Sequence, residues 1–331
     1  MRTLDTHTDF EQLVRITADN LGILPALVLK DYWVTRILRA IASDETLCRH
    51  VIFKGGTSLS KGWRLIDRFS EDIDLLTTGP DFAAPPGKGG REKIFKAIRS
   101  RVESETPLRL PELRDLPREE QEFLYVRFSY HCNIRYPLPG VVINTKSAFT
   151  DYVFIEMGFR GGAHPHVGVS LNSFVGETIL ALDEDRRSAL ADYEMDFTPF
   201  QLELLDPVRT FVEKLLATHC AMAKGIENVR TRHYYDIAAL FTKSELVRPF
   251  LQSGEFPKLV RDAVGVTIEY FDKNLDPNLD LASSPALNLT PEQIATLTAQ
   301  YANERAYYFK EQPPFEKVLQ TIAEIRQTLR K

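Results

Sequence analysis

The chain has 331 residues, of which 44% are hydrophobic and 26% charged, a composition typical of a globular protein with two domains. Its net charge of −5 excludes a general electrostatic attraction to nucleic acid, although a local basic patch can still bind one. Charged residues interrupt every apolar run, so no membrane span is expected. The cysteines are few and unpatterned (Cys48, Cys132 and Cys220), and the N-terminal residues lack the apolar segment of a signal peptide. We therefore expect a cytosolic protein without a disulfide framework or a zinc site.

The first part of the chain predicts helices, then a strand and a sharp turn. Residues 9–43 repeat apolar side chains at spacings of three and four, as amphipathic helices do. The sequence HVIFKGG (residues 50–56) predicts a short buried strand that ends in a glycine turn. A further helix is expected to begin just after this turn, with Thr57 or Ser58 as its N-terminal cap.

Two later strands carry acidic residues on one face. In EDIDLLTT (residues 71–78), Asp72 and Asp74 alternate with apolar residues and therefore point to one side of the strand. In YVFIEMGFRGG (residues 152–162), Glu156 points away from its apolar neighbours in the same way. If both strands belong to one sheet, these carboxylates could converge.

The remaining segments predict one more strand and a helical second half. EFLYVRFSYHC (residues 122–132) alternates apolar and polar residues, as a half-buried strand does. A helix is expected from its N-terminal cap, Asp206, to its stop signal, Gly225. A second helix is expected over residues 229–241.

These segments together indicate an α+β protein with two domains. Residues 1–175 are expected to form a small mixed sheet flanked by helices. Residues 176–331 are expected to form a mainly helical domain that closes the active-site cleft. A Pro/Gly-rich stretch within the first domain, residues 79–90, is predicted to be a mobile loop.

The Asp-x-Asp strand behind a glycine-hydroxyl turn suits metal-dependent phosphoryl transfer. Two carboxylates on one strand face can hold divalent ions, which neutralise phosphate charge and align the attacking and leaving oxygens. Paired glycines let backbone amides approach phosphate oxygens closely, and nearby hydroxyls add donors. Each feature alone is common, because most Asp-x-Asp pairs are solvated strand faces and most Gly-Gly pairs are turns. Taken together, the features suit a nucleoside triphosphate bound with magnesium.

The order of strand, Gly-Gly-Thr-Ser turn, helix and Asp-x-Asp strand resembles the nucleotidyltransferase fold of the DNA polymerase beta superfamily. Four stretches together resemble, more closely, the AbiEii/AbiGii-type nucleotidyltransferase toxin family, which includes MenT-like toxins: FKGGTSLSKGWRLIDRFSEDIDL, VFIEMGFRGG, DPVRTFVEKLLATH and RHYYDIAAL. The resemblance implies the toxin of a toxin–antitoxin or abortive-infection pair. It also implies transfer of a nucleoside monophosphate from an NTP to an RNA, with a tRNA 3′ end as the expected acceptor.

The resemblance further implies roles for individual residues. The expected catalytic residues are Asp72, Asp74, Lys214 and Asp236, and the two carboxylates of the Asp-x-Asp pair would bind Mg²⁺ or Mn²⁺. Lys214 would contact phosphate, and Asp236 would orient it or bind the nucleotide. Glu156 would be a third metal ligand or would activate the attacking hydroxyl. The expected nucleotide-binding residues are Gly55, Gly56, Thr57, Ser58, Ser70 and Lys214. An NTP is the implied co-substrate, and a cognate antitoxin encoded nearby is the implied partner.

Several alternatives stay open at this point. Asp236 could form a helix-surface ion pair with Arg232, four residues earlier. Lys214 could pack its stem at a domain junction and keep its charged end in water. The nucleotide could go to a protein or a small molecule instead of an RNA, or the chain could be a non-catalytic nucleotide-binding module. If RNA is the acceptor, Arg160, Arg230 and Arg232 are candidate contacts.

Overall fold

The computed structural model describes residues 2–70, 72–84, 86–110, 114, 118, 131–139 and 150–330. Six strands form one sheet within these residues: β1 (Val51–Lys54), β2 (Asp72–Thr77), β3 (His131–Pro137), β4 (Tyr152–Gly158), β5 (His166–Leu171) and β6 (Phe200–Leu205). The α-helices of the described residues are α1 (Phe10–Leu21), α2 (Pro25–Ala42), α3 (Gly55–Lys61), α4 (Lys88–Glu105), α5 (Phe174–Leu180), α6 (Glu184–Ser188), α7 (Glu194–Phe197), α8 (Pro207–Lys224), α9 (Thr231–Lys243), α10 (Val247–Leu251), α11 (Phe256–Tyr270), α12 (Pro291–Ala302) and α13 (Phe315–Leu329).

The sheet is mixed, with the strand order β3-β4-β2-β1-β6-β5. Strand β2 runs parallel to β4, β1 runs parallel to β6, and β3 runs antiparallel to β4. Helix α2 packs against β4 and against both α1 and α4. The α+β class and the expected mixed sheet flanked by helices are thus confirmed.

The chain divides into two compact units, each built from separate segments. The first unit comprises Met1–Phe53, Glu71–Phe159 and Gly168–Leu204, and the second comprises Lys54–Ser70, Arg160–Val167 and Leu205–Lys331. Most of the sheet belongs to the first unit, whereas α3 and helices α8 to α13 belong to the second. These units are defined by contacts within the folded chain and do not test the expected domains. The boundary between residues 175 and 176 therefore stays a prediction.

Each unit has its own apolar interior. In the first, the residues of β2 and β4 that alternate with the acidic positions are fully buried, as a half-covered sheet requires: Ile73, Val153, Ile155 and Met157. In the second, a continuous cluster of buried side chains joins α8 and α9 to α13, and Leu59 of α3 packs into the same cluster. The catalytic candidates on α3, α8 and α9 therefore share one packed core.

The helical predictions for the second half are confirmed, but the predicted cap of α3 is wrong. Helix α8 begins at Pro207, where the carboxylate of Asp206 accepts a hydrogen bond from the amide of Val208 at 2.8 Å, and its C-cap is Gly225. Helix α3 begins two residues before Thr57, without a side-chain cap. The hydroxyls of Thr57 and Ser58 donate to backbone carbonyls instead, which removes them from the capping role.

Other predictions fall partly or wholly outside the described residues. The strand expected over residues 122–132 lies outside them except for its last two residues, where β3 begins. Within the predicted loop at residues 79–90, the structure shows a short 3₁₀ turn at Pro80–Phe82, and α4 begins at Lys88. In the described part of the chain, no single helix has the length and apolarity to cross a membrane. Only the sharply bent pair α1 and α2 passes that test together, on length and composition alone.

Candidate active site

The acidic residues of the first unit lie next to one another on one face of the sheet. In the parallel pairing of β2 with β4, Asp74 stands directly opposite Glu156, and Asp72 stands opposite Phe154. Asn133 of β3 is the partner of Glu156 on its other side. Because neighbouring strands are about 4.8 Å apart, the carboxylates of Asp74 and Glu156 project from adjacent points of the same surface. These acids therefore lie on one face of one sheet, while the convergence of their carboxylates stays a prediction.

The exposure of this acidic face suits ligand binding. Asp72 and Asp74 are half-buried and Glu156 is exposed, whereas the residues between them point into the core. Carboxylate oxygens are the ligands that Mg²⁺ prefers, and it is usually bound by one or two carboxylates together with waters and substrate phosphates. Among the residues that the structure describes, no group of three His, Cys, Asp or Glu side chains forms a ready-made metal cage.

The second unit contains the glycine turn, and its two glycines are required for different physical reasons. Gly55 has a φ of 76°, a left-handed conformation that residues with a Cβ rarely adopt. Gly56 lies against two side chains: a Cβ at this position would come within 2.7 Å of Ser70 Oγ and 3.1 Å of Arg68 Nη2. Gly55 is thus required by the backbone conformation of the turn, and Gly56 by the side chains that pack against it.

The two hydroxyls that follow are buried and hold the turn together. Thr57 Oγ1 donates to the carbonyl oxygen of Ser70 at 3.2 Å, and Ser58 Oγ donates to the carbonyl oxygen of Gly55 at 2.9 Å. Both residues are almost completely shielded from solvent. These hydrogen bonds tie the start of α3 to Ser70, the residue that ends this segment of the second unit.

Asp236 is the centre of a buried ion cluster in the second unit. Its side chain has no exposed surface, and both of its oxygens bind the guanidinium of Arg68: Oδ1 accepts from Nε at 2.7 Å and Oδ2 accepts from Nη2 at 2.6 Å. The ammonium of Lys214 binds Oδ2 at 2.7 Å. The alternative of a helix-surface ion pair between Asp236 and Arg232 is therefore wrong, because Asp236 faces the interior. Lys214 likewise ends on a buried carboxylate and not in bulk water.

The electrostatics of this cluster follow from burial and pairing. Burial alone raises the pKa of Asp236, but Arg68 and Lys214 outweigh it and hold the pKa well below its ordinary value. Burial also lowers the pKa of the neighbouring His233, and the ammonium of Lys214 lowers it further. At neutral pH the structure thus places an ionised carboxylate and an uncharged imidazole beside Lys214.

The segment that carries Arg68 is fixed by backbone contacts at the end of the chain. The amide of Phe69 donates to the carbonyl of Tyr307 at 2.6 Å, and the amide of Phe309 donates to the carbonyl of Asp67 at 2.9 Å. Between these two hydrogen bonds, Arg68 and Tyr308 form an antiparallel bridge. This anchoring explains how a residue outside any helix or strand keeps one side-chain orientation.

Arg68 and Arg209 are the residues that sequence reasoning missed. Arg68 lies inside the quoted motif, two residues before Ser70, but nothing in its spacing shows that it pairs with a residue 168 positions away. Arg209 is fully buried, pairs with Glu213 at 2.9 Å and also binds Asp262. Its guanidinium fills the place where a Cβ of Gly162 would be, so this glycine of the FRGG sequence is required by packing. The guanidinium of the preceding Arg160 lies over the ring of Phe271.

The family model places the chain among the nucleotidyltransferases. Residues 36–321 match the family model for the nucleotidyl transferase AbiEii toxin of a type IV toxin–antitoxin system, and the chain belongs to this family. The resemblance seen in the sequence motifs is thereby confirmed. No curated protein matches the chain.

Two solved structures resemble the chain at low sequence identity. MenT4, a nucleotidyltransferase toxin from Mycobacterium tuberculosis H37Rv, has 14% identity and a TM-score of 0.45, with 96% of each chain covered. A protein from H. pylori, provisionally described as a nucleotidyltransferase, has 16% identity and a TM-score of 0.41, with 91% of this chain and 92% of the other covered.

Proposed function

We propose that this toxin transfers a nucleoside monophosphate from an NTP to an RNA acceptor, with a tRNA 3′ end as the expected acceptor, and that it requires Mg²⁺ or Mn²⁺. The observation that carries the proposal is the acidic face, on which Asp72 and Asp74 alternate along β2 and Asp74 stands opposite Glu156 on β4. Carboxylates that share one sheet face are suitable ligands for a divalent cation. In a nucleotidyltransferase family, that cation is the metal that accompanies the triphosphate.

Asp72 and Asp74 are the proposed metal-binding residues. When bound, divalent ions would neutralise triphosphate charge and align the attacking and leaving oxygens. Glu156 has two proposed roles: it completes the metal site, or it accepts the proton of the attacking hydroxyl. The exposed position of Glu156 beside Asp74 supports both roles, and a pH–rate profile of a Glu156→Gln variant separates them.

The second unit supplies the proposed triphosphate contacts. The turn from Gly55 to Ser58, together with Ser70, would surround phosphate oxygens, with the buried hydroxyls of Thr57 and Ser58 holding its shape. Lys214 is the proposed ammonium contact to phosphate. Backbone amides in a glycine turn and a fixed ammonium are typical phosphate ligands.

In the proposed reaction the acceptor hydroxyl loses its proton and its oxygen attacks the α-phosphorus of the NTP. The bond from that phosphorus to the β-bridging oxygen breaks, and pyrophosphate leaves with the electron pair. Negative charge grows on the departing oxygens, which is where the ammonium of Lys214 would act most strongly. The product is an acceptor that carries one additional nucleotide in phosphodiester linkage.

Members of the family are toxins of type IV toxin–antitoxin systems, so membership implies an antitoxin partner. We propose that the antitoxin is encoded next to the toxin. Co-expression of the neighbouring gene is expected to restore growth to cells that express the active toxin, and it should be unnecessary for cells that express an Asp72→Asn variant.

The decisive experiment is a transfer assay with purified protein. Each α-³²P-labelled NTP is incubated with Mg²⁺ and either total RNA, isolated tRNA or a protein extract. We expect label in tRNA with one or more NTPs, lost when Asp72 or Asp74 is changed to Asn. Nuclease mapping then locates the added nucleotide. Label that appears only in protein or in a small molecule would contradict the RNA acceptor, and absence of any metal-dependent transfer would contradict the proposal as a whole.

A further inference from the structure

We propose that Arg68 is a positioning residue for Lys214, acting through Asp236, and that Asp236 contacts neither the nucleotide nor a metal ion. This inference rests on the proposed function, in which Lys214 binds triphosphate. It assigns to Arg68 a role in the reaction, and it decides between the two roles that the sequence leaves open for Asp236, namely orienting Lys214 and binding the nucleotide.

The first support is that the carboxylate of Asp236 is already occupied. Three charged donors bind it within 2.6–2.7 Å: Nε and Nη2 of Arg68 and Nζ of Lys214. The side chain has no exposed surface. For Asp236 to bind a metal or a ribose hydroxyl, it would have to release a bidentate guanidinium inside the protein, and that leaves buried charge without a partner.

The second support is the charge of the cluster. Arg68 and Lys214 bring two positive charges to the single negative charge of Asp236, so one positive charge is in excess. Glu304 acts on Arg68 from further away, and Arg232 offsets its charge. The exposed fraction is 4% for the side chain of Arg68, 0% for that of Asp236 and 11% for that of Lys214. The excess charge is therefore accessible to an anion at Lys214.

The third support is that Arg68 also lies against the glycine turn. Its Nη2 atom lies 3.1 Å from the place of a Cβ on Gly56, and its Nη1 atom donates to the carbonyl of Phe69 at 3.2 Å. One guanidinium thus contacts both elements of the second unit that are proposed to bind triphosphate. Its loss is expected to disturb the orientation of Lys214 as well as the charge beside it.

The variants of this cluster separate charge from position. Arg68→Lys keeps the excess positive charge but does not reproduce the planar, two-nitrogen contact of the guanidinium. Arg68→Gln removes the excess charge. Asp236→Asn raises the excess to two. The double variant Arg68→Gln/Asp236→Asn returns to one excess charge and keeps amide groups that can hydrogen-bond to each other and to Lys214.

The test measures binding of inorganic triphosphate with Mg²⁺, single-turnover transfer from the NTP that the wild type uses, and melting temperature. We expect Arg68→Lys to bind triphosphate within a few-fold of the wild type but to transfer at least about tenfold more slowly, the scale for one charge-assisted hydrogen bond. Arg68→Gln is expected to weaken triphosphate binding by about tenfold or more. The double variant is expected to bind better than Arg68→Gln and to transfer faster than Asp236→Asn.

Arg36→Gln is the matched control, because Arg36 forms a comparable buried pair with Asp196 in the first unit. It is expected to lower the melting temperature without a change in triphosphate binding. The proposal is overturned if the Arg68 variants behave like Arg36→Gln, or if the double variant transfers no faster than Asp236→Asn, since a direct substrate contact by Asp236 cannot be restored by charge balance. If the wild type neither binds triphosphate nor transfers nucleotide, the proposed function itself fails. That result is distinguishable from the two outcomes above, in which the wild type is active.

Discussion

Gly56 and Ser70 are in direct contact across the loop that joins α3 to β2. A methyl group on Gly56 would lie 2.7 Å from Ser70 Oγ and 3.1 Å from Ser70 Cβ, closer than ordinary van der Waals packing permits. The carbonyl of Ser70 also accepts the hydroxyl proton of Thr57. Ser70 and the glycine turn therefore form one rigid piece, which any change at residue 56 will displace.

We expect Gly56→Ala to weaken triphosphate binding by about tenfold or more, because the added methyl displaces Ser70 and the Arg68 guanidinium from their present contacts. Titration with inorganic triphosphate measures the effect. Gly265→Ala is a suitable control, since Gly265 also lies in a helix, α11, but has open space around its Cβ position. Equal triphosphate affinity in Gly56→Ala and the wild type would show that the turn does not bind phosphate.

Asp72→Asn and Asp74→Asn are each expected to abolish transfer and to leave the fold intact. Loss of one carboxylate weakens a divalent ion site, and the packing of the sheet face is kept because Asn has nearly the same size as Asp. Melting curves with and without Mg²⁺ and NTP measure both effects. We expect the ligand-induced rise in melting temperature to disappear in the variants. Near-normal transfer in both would refute the metal assignment.

Lys214→Ala is expected to reduce single-turnover transfer by about 100-fold or more, the scale for loss of one electrostatic contact to a transition state. Lys214→Arg is expected to recover only part of the rate, because a planar guanidinium does not reproduce the geometry of an ammonium. The assay uses saturating NTP, so that the chemical step is observed. Full activity in Lys214→Ala would refute the proposed contact of Lys214 with phosphate.

The pH dependence of stability tests the Asp236 cluster. In the unfolded chain an Asp titrates near pH 3.9, whereas pairing holds the folded pKa of Asp236 below that value. The contribution of ionised Asp236 to the free energy of unfolding is therefore complete above about pH 4, and it is lost as pH falls through the folded pKa. We expect Asp236→Asn to lower the free energy of unfolding by about 3 kcal/mol or more at pH 7, with the difference from the wild type shrinking below pH 4. Urea unfolding from pH 3 to pH 8 measures it, and a difference independent of pH would contradict the assignment.

Arg160, Arg230 and Arg232 are the proposed RNA contacts. A triple change to Ala is expected to weaken RNA binding and to reduce its salt dependence, because fewer phosphate counterions are released. Triphosphate binding should fall by less than RNA binding, because of the three only Arg232 acts near the Asp236 cluster, where it offsets the charge of Glu304. Filter binding at several salt concentrations measures the RNA affinity. If affinity is unchanged, a Lys93→Ala/Lys96→Ala variant tests α4 as the alternative surface.

Local patterns in the sequence were sufficient for the chemistry of the acidic face. Alternation along a strand dictates that Asp72 and Asp74 share one side, because successive side chains point to opposite faces. The cap, proline and glycine around α8 likewise predicted both of its ends, since these signals act over only a few residues. The cap of α3 was predicted wrongly, because the hydroxyls of Thr57 and Ser58 found partners elsewhere in the folded unit.

Only the tertiary structure decided which distant residues meet. Pairing of Asp74 with Glu156 depends on the register of β2 against β4, which alternation within one strand does not specify. The partnership of Arg68 with Asp236 depends on the anchoring of residues 67–69 by Tyr307 and Phe309 near the end of the chain. The sequence by itself therefore determined the residue types and faces that suit nucleotidyl transfer. The packing of the second unit determined that Arg68, Lys214 and Asp236 form one buried cluster, because long-range ion pairs arise only where a shared core brings separate segments together.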